Sequence, residues 1–168
     1  ASPEQYNSGF NWYLNAHNYC QEIATKFDIP FHKVVGVCAV LSPQSNWTQN
    51  KQNTHNYFSK DPMQFISKMK IEMMAKVLED KAITEVTKGQ KVTSFYYNIL
   101  SAGESSGYVT IDTHAIKVAL GVKDDRVFAS KKRYSEISDG YKEVANKYNI
   151  PAPKMQAICW TVQRGSAD

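Results

Sequence analysis

Gly89-Gln90-Lys91-Val92-Thr93-Ser94-Phe95-Tyr96-Tyr97-Asn98-Ile99-Leu100 decides the fold class. After the glycine turn, Val92, Phe95, Tyr96, Ile99 and Leu100 recur at three- and four-residue intervals and make one apolar helical face. The stretch therefore reads as a helix that buries one side and opens at a turn carrying Lys88 and Lys91.

Upstream, Phe10, Tyr13, Leu14, His17, Cys20, Ile23, Ala24 and Phe27 repeat the same spacing, so a helix is expected over 7–27, stopped by Asp28-Ile29-Pro30. The valine-rich run 31–41 would suit a strand by propensity, but no alternating partner segment accompanies it, and a buried helix is expected. Ser42-Pro43 breaks the pattern. A helix with an unusually polar surface follows over 47–58. Asp61-Pro62 reads as the opening of another helix running to about 69, and two short ones are expected over 71–79 and 82–86.

Downstream, 101–107 is a flexible loop by composition, and 108–111 runs extended into a helix over 113–120 that ends at Gly121. Helices over 135–148 and 153–164 close the chain. The sum is one all-α domain without repeats or linkers.

The chain has 168 residues, 42% of them hydrophobic and 12% aromatic, enough to bury a core. Its formal charge of +4 makes a polyanionic partner plausible without naming one. Cys20, Cys38 and Cys159 are too widely spaced for a zinc or iron–sulfur ligand set and lie in apolar or helical runs. Buried free thiols and a reducing, cytoplasmic setting are expected, with no metal or cofactor. No apolar run is long enough for a membrane span, and the first residues lack the pattern of a secretion signal.

Two residues stand out chemically. Asp112 sits where the extended run meets a helix, and its simplest use is to cap that helix. A carboxylate at a helix N-terminus is also favoured in its charged form by the macrodipole, and a charged carboxylate can stabilise positive charge developing on a sugar. Lys91 lies in the first turn of its own helix, a mildly unfavourable place for a cation. It is a solvated lysine, a phosphate ligand beside the backbone N–H groups of the Gly89 turn, or an amine that attacks a sugar C1′. An amine and a carboxylate together are what breaking an N-glycosidic bond requires.

The turn Ser42-Pro43-Gln44-Ser45-Asn46-Trp47 caps the next helix through Ser45 or Asn46, or else presents Gln44 to fill the gap left by a nucleotide drawn from a duplex. Tyr108 and His114 flank Asp112. Trp12, Tyr13, Trp47, Phe95, Tyr96, Tyr97 and Trp160 are mainly core by spacing, with one or two members available to stack on a base.

Three of these stretches resemble, in order, the helix-hairpin-helix DNA glycosylases of the endonuclease III type. Val40-Leu41-Ser42-Pro43-Gln44 with Asn50-Lys51 is similar to that family's leucine-serine-x-glutamine turn and following asparagine-lysine. Gly89-Gln90-Lys91-Val92 looks like the end of its hairpin, and Val109-Thr110-Ile111-Asp112-Thr113-His114 like its valine-aspartate-threonine-histidine segment. Trp160 and Gly165 resemble the tryptophan and glycine of a late helix. Val86 and Thr87 stand where the hairpin usually has proline and glycine, and the four-cysteine cluster is missing.

The resemblance implies a two-lobed helical fold with a cleft between the lobes, here 36–121 against 1–35 plus 122–168. It implies a monomer that extrudes a damaged, mispaired or modified base from double-stranded DNA. Lys91 and Asp112 would be catalytic, the lysine as Schiff-base nucleophile in a combined glycosylase and abasic-site lyase. Gln44, Lys88, Gly89 and Gln90 would contact DNA, and Trp47, Tyr108 and His114 would line a base pocket. No iron–sulfur cofactor is implied. A non-catalytic nucleic-acid binding module of the same fold, or a glycosidase acting on a free or modified nucleoside, from a cellular or a viral source, fits the same residues.

Overall fold

The computed structural model describes residues 1–104 and 107–165, and among these the chain is helical with no strand. Ten α-helices follow one another: α1 Pro3–Phe10, α2 Trp12–Phe27, α3 Phe31–Leu41, α4 Trp47–Ser59, α5 Lys68–Leu78, α6 Ile83–Val86, α7 Gln90–Leu100, α8 Thr113–Leu120, α9 Lys131–Lys147 and α10 Ala152–Arg164. A 3-10 turn, Asp125–Ala129, precedes α9. Among the described residues no helix is long and apolar enough to cross a membrane.

The centre is α3. Every residue from Val34 to Leu41 is buried, so the valine-rich run is the buried helix expected for it, packed against α2, α4, α5 and α7. Enclosure explains the apolar continuity, because a helix with no solvent face has no need of an amphipathic stripe. Gly36 lets α5 approach: a Cβ there would stand 2.7 Å from Val77 Cγ1.

Three apolar clusters surround this axis. One joins α2 and one side of α3 to Val92, Phe95 and Ile99 of α7 and to Ala157 and Trp160 of α10. Another packs the opposite side of α3, through Val37, Val40 and Leu41, on α5 and α6. The remaining cluster holds Val109, Ile111 and Ile116 against α9 and Met155. Helix α10 thus enters two clusters.

Several boundaries differ from the sequence reading. The helix expected over 7–27 is two helices, with Ser2 and Gln5 closing a capping box on the first. Asn11 separates them, its side-chain amide donating to the Asn7 carbonyl at 3.0 Å, a local bond of the kind that competes with helix continuation. The break lets α1 lie across α10, with Gly9 against the Ile158 backbone.

The helix expected from Asp61-Pro62 does not form. Residues 61–67 are a loop, pinned to α4 by reciprocal bonds between the Asn53 side chain and Gln64 (3.0 Å each) and by Asn56 donating to the Pro62 carbonyl at 2.8 Å. Ser67, which accepts the Lys70 N–H at 3.2 Å, sets the true start of α5. Asn50 and Asn53, read as part of a polar surface on α4, are buried, and the Asn50 amide donates to the Cys38 carbonyl at 3.2 Å. Helix α9 begins four residues before the expected 135, because Ser130 caps it through the Arg133 N–H at 3.2 Å. Cys20 and Cys38 are buried free thiols as expected, whereas Cys159 is half-buried. In the loop expected at 101–107, Ser105 and Ser106 lie outside the described residues.

Because Gly9 has no room for a methyl group, Gly9→Ala forces α1 away from α10. A loss of roughly 1–3 kcal/mol is expected from such overpacking, which thermal denaturation followed by circular dichroism would register as a Tm lowered by about 3–10 °C.

Candidate functional site

Lys91 and Asp112 line one cavity of about 330 Å³, together with Gln44, Trp47 and His114. The geometry follows from three local arrangements. Gly89, in extended conformation, ends the approach to α7 and puts Lys91 in its first turn. Residues 109–111, which have no strand to pair with, are held by side chains instead. The Tyr134 hydroxyl accepts the Ile111 N–H at 3.0 Å and donates to the Val109 carbonyl at 2.9 Å, while the Asn98 amide of α7 donates to Thr110 Oγ1 at 2.9 Å. Asp112 then caps α8, its Oδ1 accepting the Ala115 N–H at 2.7 Å.

Capping occupies one carboxylate oxygen and leaves the group half-buried at the cavity wall. Capping α8 therefore does not take Asp112 out of the cavity lining. Helix geometry even favours the combination, since the cap position carries the positive end of the macrodipole.

The opposite wall is aromatic. Trp12 lies 4.9 Å from Trp47, 5.3 Å from Trp160 and 5.7 Å from Phe95 between ring centroids. Arg164 sits 4.9 Å over the Trp160 ring, and the Trp160 indole N–H is buried without a hydrogen-bond partner among the described residues.

Gln156 and Tyr13 contribute polar groups. The Tyr13 hydroxyl donates to Gln156 Oε1 at 2.8 Å, and burial, with the Asp112 charge as a lesser cause, pushes its pKa well above the ordinary phenol value. Gln156 is 3% exposed, yet its amide nitrogen has no partner among the described residues. Gln156 lines the cavity.

The mouth is formed by the Ser42–Gln44 turn, where Gln44 is exposed at φ 60°. Lys70 of α5 braces this turn, donating to the Pro43 carbonyl at 2.7 Å and the Leu41 carbonyl at 3.3 Å. Burial lowers the Lys70 pKa, and the Lys91 charge lowers it further.

Not every expected site residue arrives here. Tyr108 stacks on Tyr97 with ring centroids 4.6 Å apart and, with Lys88 and Gln90, lines a separate hollow of about 620 Å³ against Lys131 and Ser138. It is therefore not a wall of the cavity that holds Asp112. Thr110, nearer the α8 cap, lines the first cavity, while Tyr108 and Val109 both line the second hollow. Gly89 lines neither hollow, and its N–H is already donated to Thr87 Oγ1 at 3.0 Å.

Sequence reading did not single out Gln156, Arg164 or Lys70. Gln156 carried a signal, a polar residue between Met155 and Ala157 one turn before Trp160 on an otherwise apolar face. Arg164 and Lys70 carried none, because terminal basic residues on helices are ordinary.

The arrangement has an electrostatic signature at His114. Burial lowers its pKa below 6.5, Asp112 opposes that, and Arg164, Lys123 and Lys117 add to the lowering. On acidification the unfolded chain takes up this proton first, so stability is lost as the pH falls below the unfolded value. Asp112→Asn is expected to lower the His114 midpoint further and Arg164→Ala to raise it, both read by NMR titration of the imidazole. Midpoints unmoved in both variants would mean that these charges do not face the ring.

No curated protein and no solved structure matches the chain. One protein family matches residues 1–167, and the chain belongs to it: DUF7178, a family of unknown function.

Proposed function

We propose that this protein is a DNA glycosylase of the helix-hairpin-helix type, two-lobed, monomeric, acting on a damaged, mispaired or modified base extruded from double-stranded DNA. One observation carries the reading: a lysine, an aspartate and several aromatic residues line the same open cavity, although Lys91, Asp112 and Trp160 are far apart in sequence.

In this reading the base stacks against the Trp12, Trp47 and Trp160 side of the cavity, and the Gln156 amide offers it a hydrogen bond. As the C1′–N bond lengthens, the bonding electrons leave with the base and positive charge develops on the sugar. The Asp112 carboxylate stabilises that charge. The Lys91 amine forms the new bond to C1′, the sugar ring opens, and the resulting imine permits β-elimination at the abasic site. Gln44, on the cavity mouth, enters the space vacated in the duplex. Lys88 and Gln90, with Lys131 across the second hollow, face backbone phosphates.

The test separates chemistry from folding. Asparagine caps helices about as well as aspartate, so Asp112→Asn keeps α8 and removes only the charge. Excision from a panel of duplexes with oxidised, alkylated, deaminated or hypermodified bases is expected to fall by about 10²–10³-fold in this variant, with the thermal midpoint unchanged. Lys91→Ala is expected to abolish the adduct trapped by borohydride on an abasic duplex. An adduct that persists in Lys91→Ala would assign the nucleophile to another amine, and the absence of any adduct with wild type would leave a monofunctional enzyme. Equal excision by wild type and Asp112→Asn would remove Asp112 from the mechanism, and no excision by the wild type from any duplex of the panel would sink the glycosylase reading itself.

A further inference from the structure

Helix α10 supplies the cavity with Gln156 and Trp160, which are one turn apart and so share a face of the helix. Gln156 is 3% exposed, and an amide so buried needs partners for its oxygen and for its nitrogen. The oxygen has one, since the Tyr13 hydroxyl donates to Oε1 at 2.8 Å. The nitrogen has none among the described residues. The Trp160 indole N–H is buried in the same unpartnered condition.

A chain of hydrogen bonds that begins on α7 fixes the amide this way round. The Asn98 amide nitrogen, a donor only, bonds to Thr110 Oγ1 at 2.9 Å. The Thr110 and Asn98 side chains both hydrogen-bond to the Tyr13 hydroxyl. With its oxygen receiving, Tyr13 has one proton left to give, and only the oxygen end of Gln156 can take it. Turning the amide over would set a donor against a donor in a buried place. Helices α7, α2 and α10 and the extended run at Thr110 therefore act together to leave Gln156 with N–H as its unspent group.

The other buried oxygens of the lining are already engaged. Asn50 Oδ1 accepts from Thr54 Oγ1 at 3.2 Å and from Cys38 Sγ at 3.6 Å, and Thr110 Oγ1 accepts from Asn98. Asp112 is half-buried, and in the glycosylase reading its carboxylate serves the sugar. What the buried wall has left over, at Gln156 and Trp160, is donors.

We infer that Gln156 is the specificity-determining residue of this cavity: its amide N–H donates to a carbonyl oxygen of the extruded base, so that keto bases are the substrates and bases with an amino group in that place are rejected. The inference rests on the glycosylase reading and names the class of base within it. An amino group there would meet N–H with N–H beside a side chain that has almost no access to water, and both donors would stay unpaired.

The test compares bases matched in size. Uracil and cytosine, 5-hydroxymethyluracil and 5-hydroxymethylcytosine, and hypoxanthine and adenine are each placed in a duplex opposite an abasic-site analogue, so that pairing does not distinguish them. Single-turnover excision gives a keto-to-amino ratio for each pair. Wild type is expected to favour the keto member about 5- to 150-fold, the factor matching about 1–3 kcal/mol for a buried donor left unsatisfied. Gln156→Glu keeps the size of the side chain and an acceptor for Tyr13 but replaces the donor by an acceptor, and the ratio is expected to reverse. Tyr13→Phe frees the amide to turn over, and the ratio is expected to fall towards parity.

A Gln156 that only supports the fold would slow both members of a pair alike and leave the ratio unmoved. If wild type excises both members equally, or if its keto preference persists in both variants, the donor assignment falls and the glycosylase reading stands. Should Gln156→Glu fail to fold, as circular dichroism would show, the ratio in Tyr13→Phe decides. If wild type excises no base from these duplexes or from the wider panel, both readings fall.

Discussion

An extended segment with no strand beside it must find other partners for its backbone, and the placement of the candidate site depends on how residues 109–111 do so. A buried N–H or C=O left unpaired costs about 1–3 kcal/mol. Tyr134 of α9 supplies both a donor and an acceptor to this segment, and Asn98 of α7 reaches Thr110 from the other side. The run is consequently clamped between two helices that are distant in sequence. One of them carries Lys91 at its start; the run itself ends in Asp112. Tying α7 to 109–111 is therefore the same act as bringing the amine and the carboxylate to one cavity.

The cavity combines groups that a purely structural core would avoid. The indole N–H of Trp160 is buried without a partner among the described residues, and the Gln156 amide is nearly enclosed yet only half engaged. Buried polar groups are ordinarily satisfied, so departures from satisfaction mark places shaped by something other than stability. Asp112 follows the opposite economy, since its capping bond to Ala115 stabilises α8 while its remaining oxygen stays available. Asparagine can keep the cap where alanine cannot, which makes it the informative substitution there.

Left-handed backbone at non-glycine residues occurs at seven described positions, and of these Gln44 lines the cavity. The turn that leads into it is braced by Lys70 of α5, which donates to the Leu41 and Pro43 carbonyls. These bonds engage main-chain atoms and so hold the turn whatever side chains it carries.

Helical periodicity made most of the fold legible: α2, α3, α4, α7, α8 and α10 stand where apolar spacing, Pro30, Gly89 and Gly121 put them. The residue types Lys91, Asp112, Gln44, Trp47 and His114 were also readable as candidates, because each sits at a turn or helix start where local chemistry is conspicuous. Local signals failed where a tertiary bond outweighed them. Proline at residue 62 did not start a helix because Asn53 and Asn56 captured the loop first, and a single helix over 7–27 gave way to two because α1 gains more by lying across α10. Which candidates share a cavity was decided only by the folded chain: Tyr108, close in sequence to Asp112, was turned to a different hollow, while Gln156 and Arg164 were brought in from afar. Periodicity records which face of an element is apolar, and it holds no information about which elements meet. That meeting is settled by shape complementarity and by the pairing of buried polar groups, and both exist only once the helices have packed.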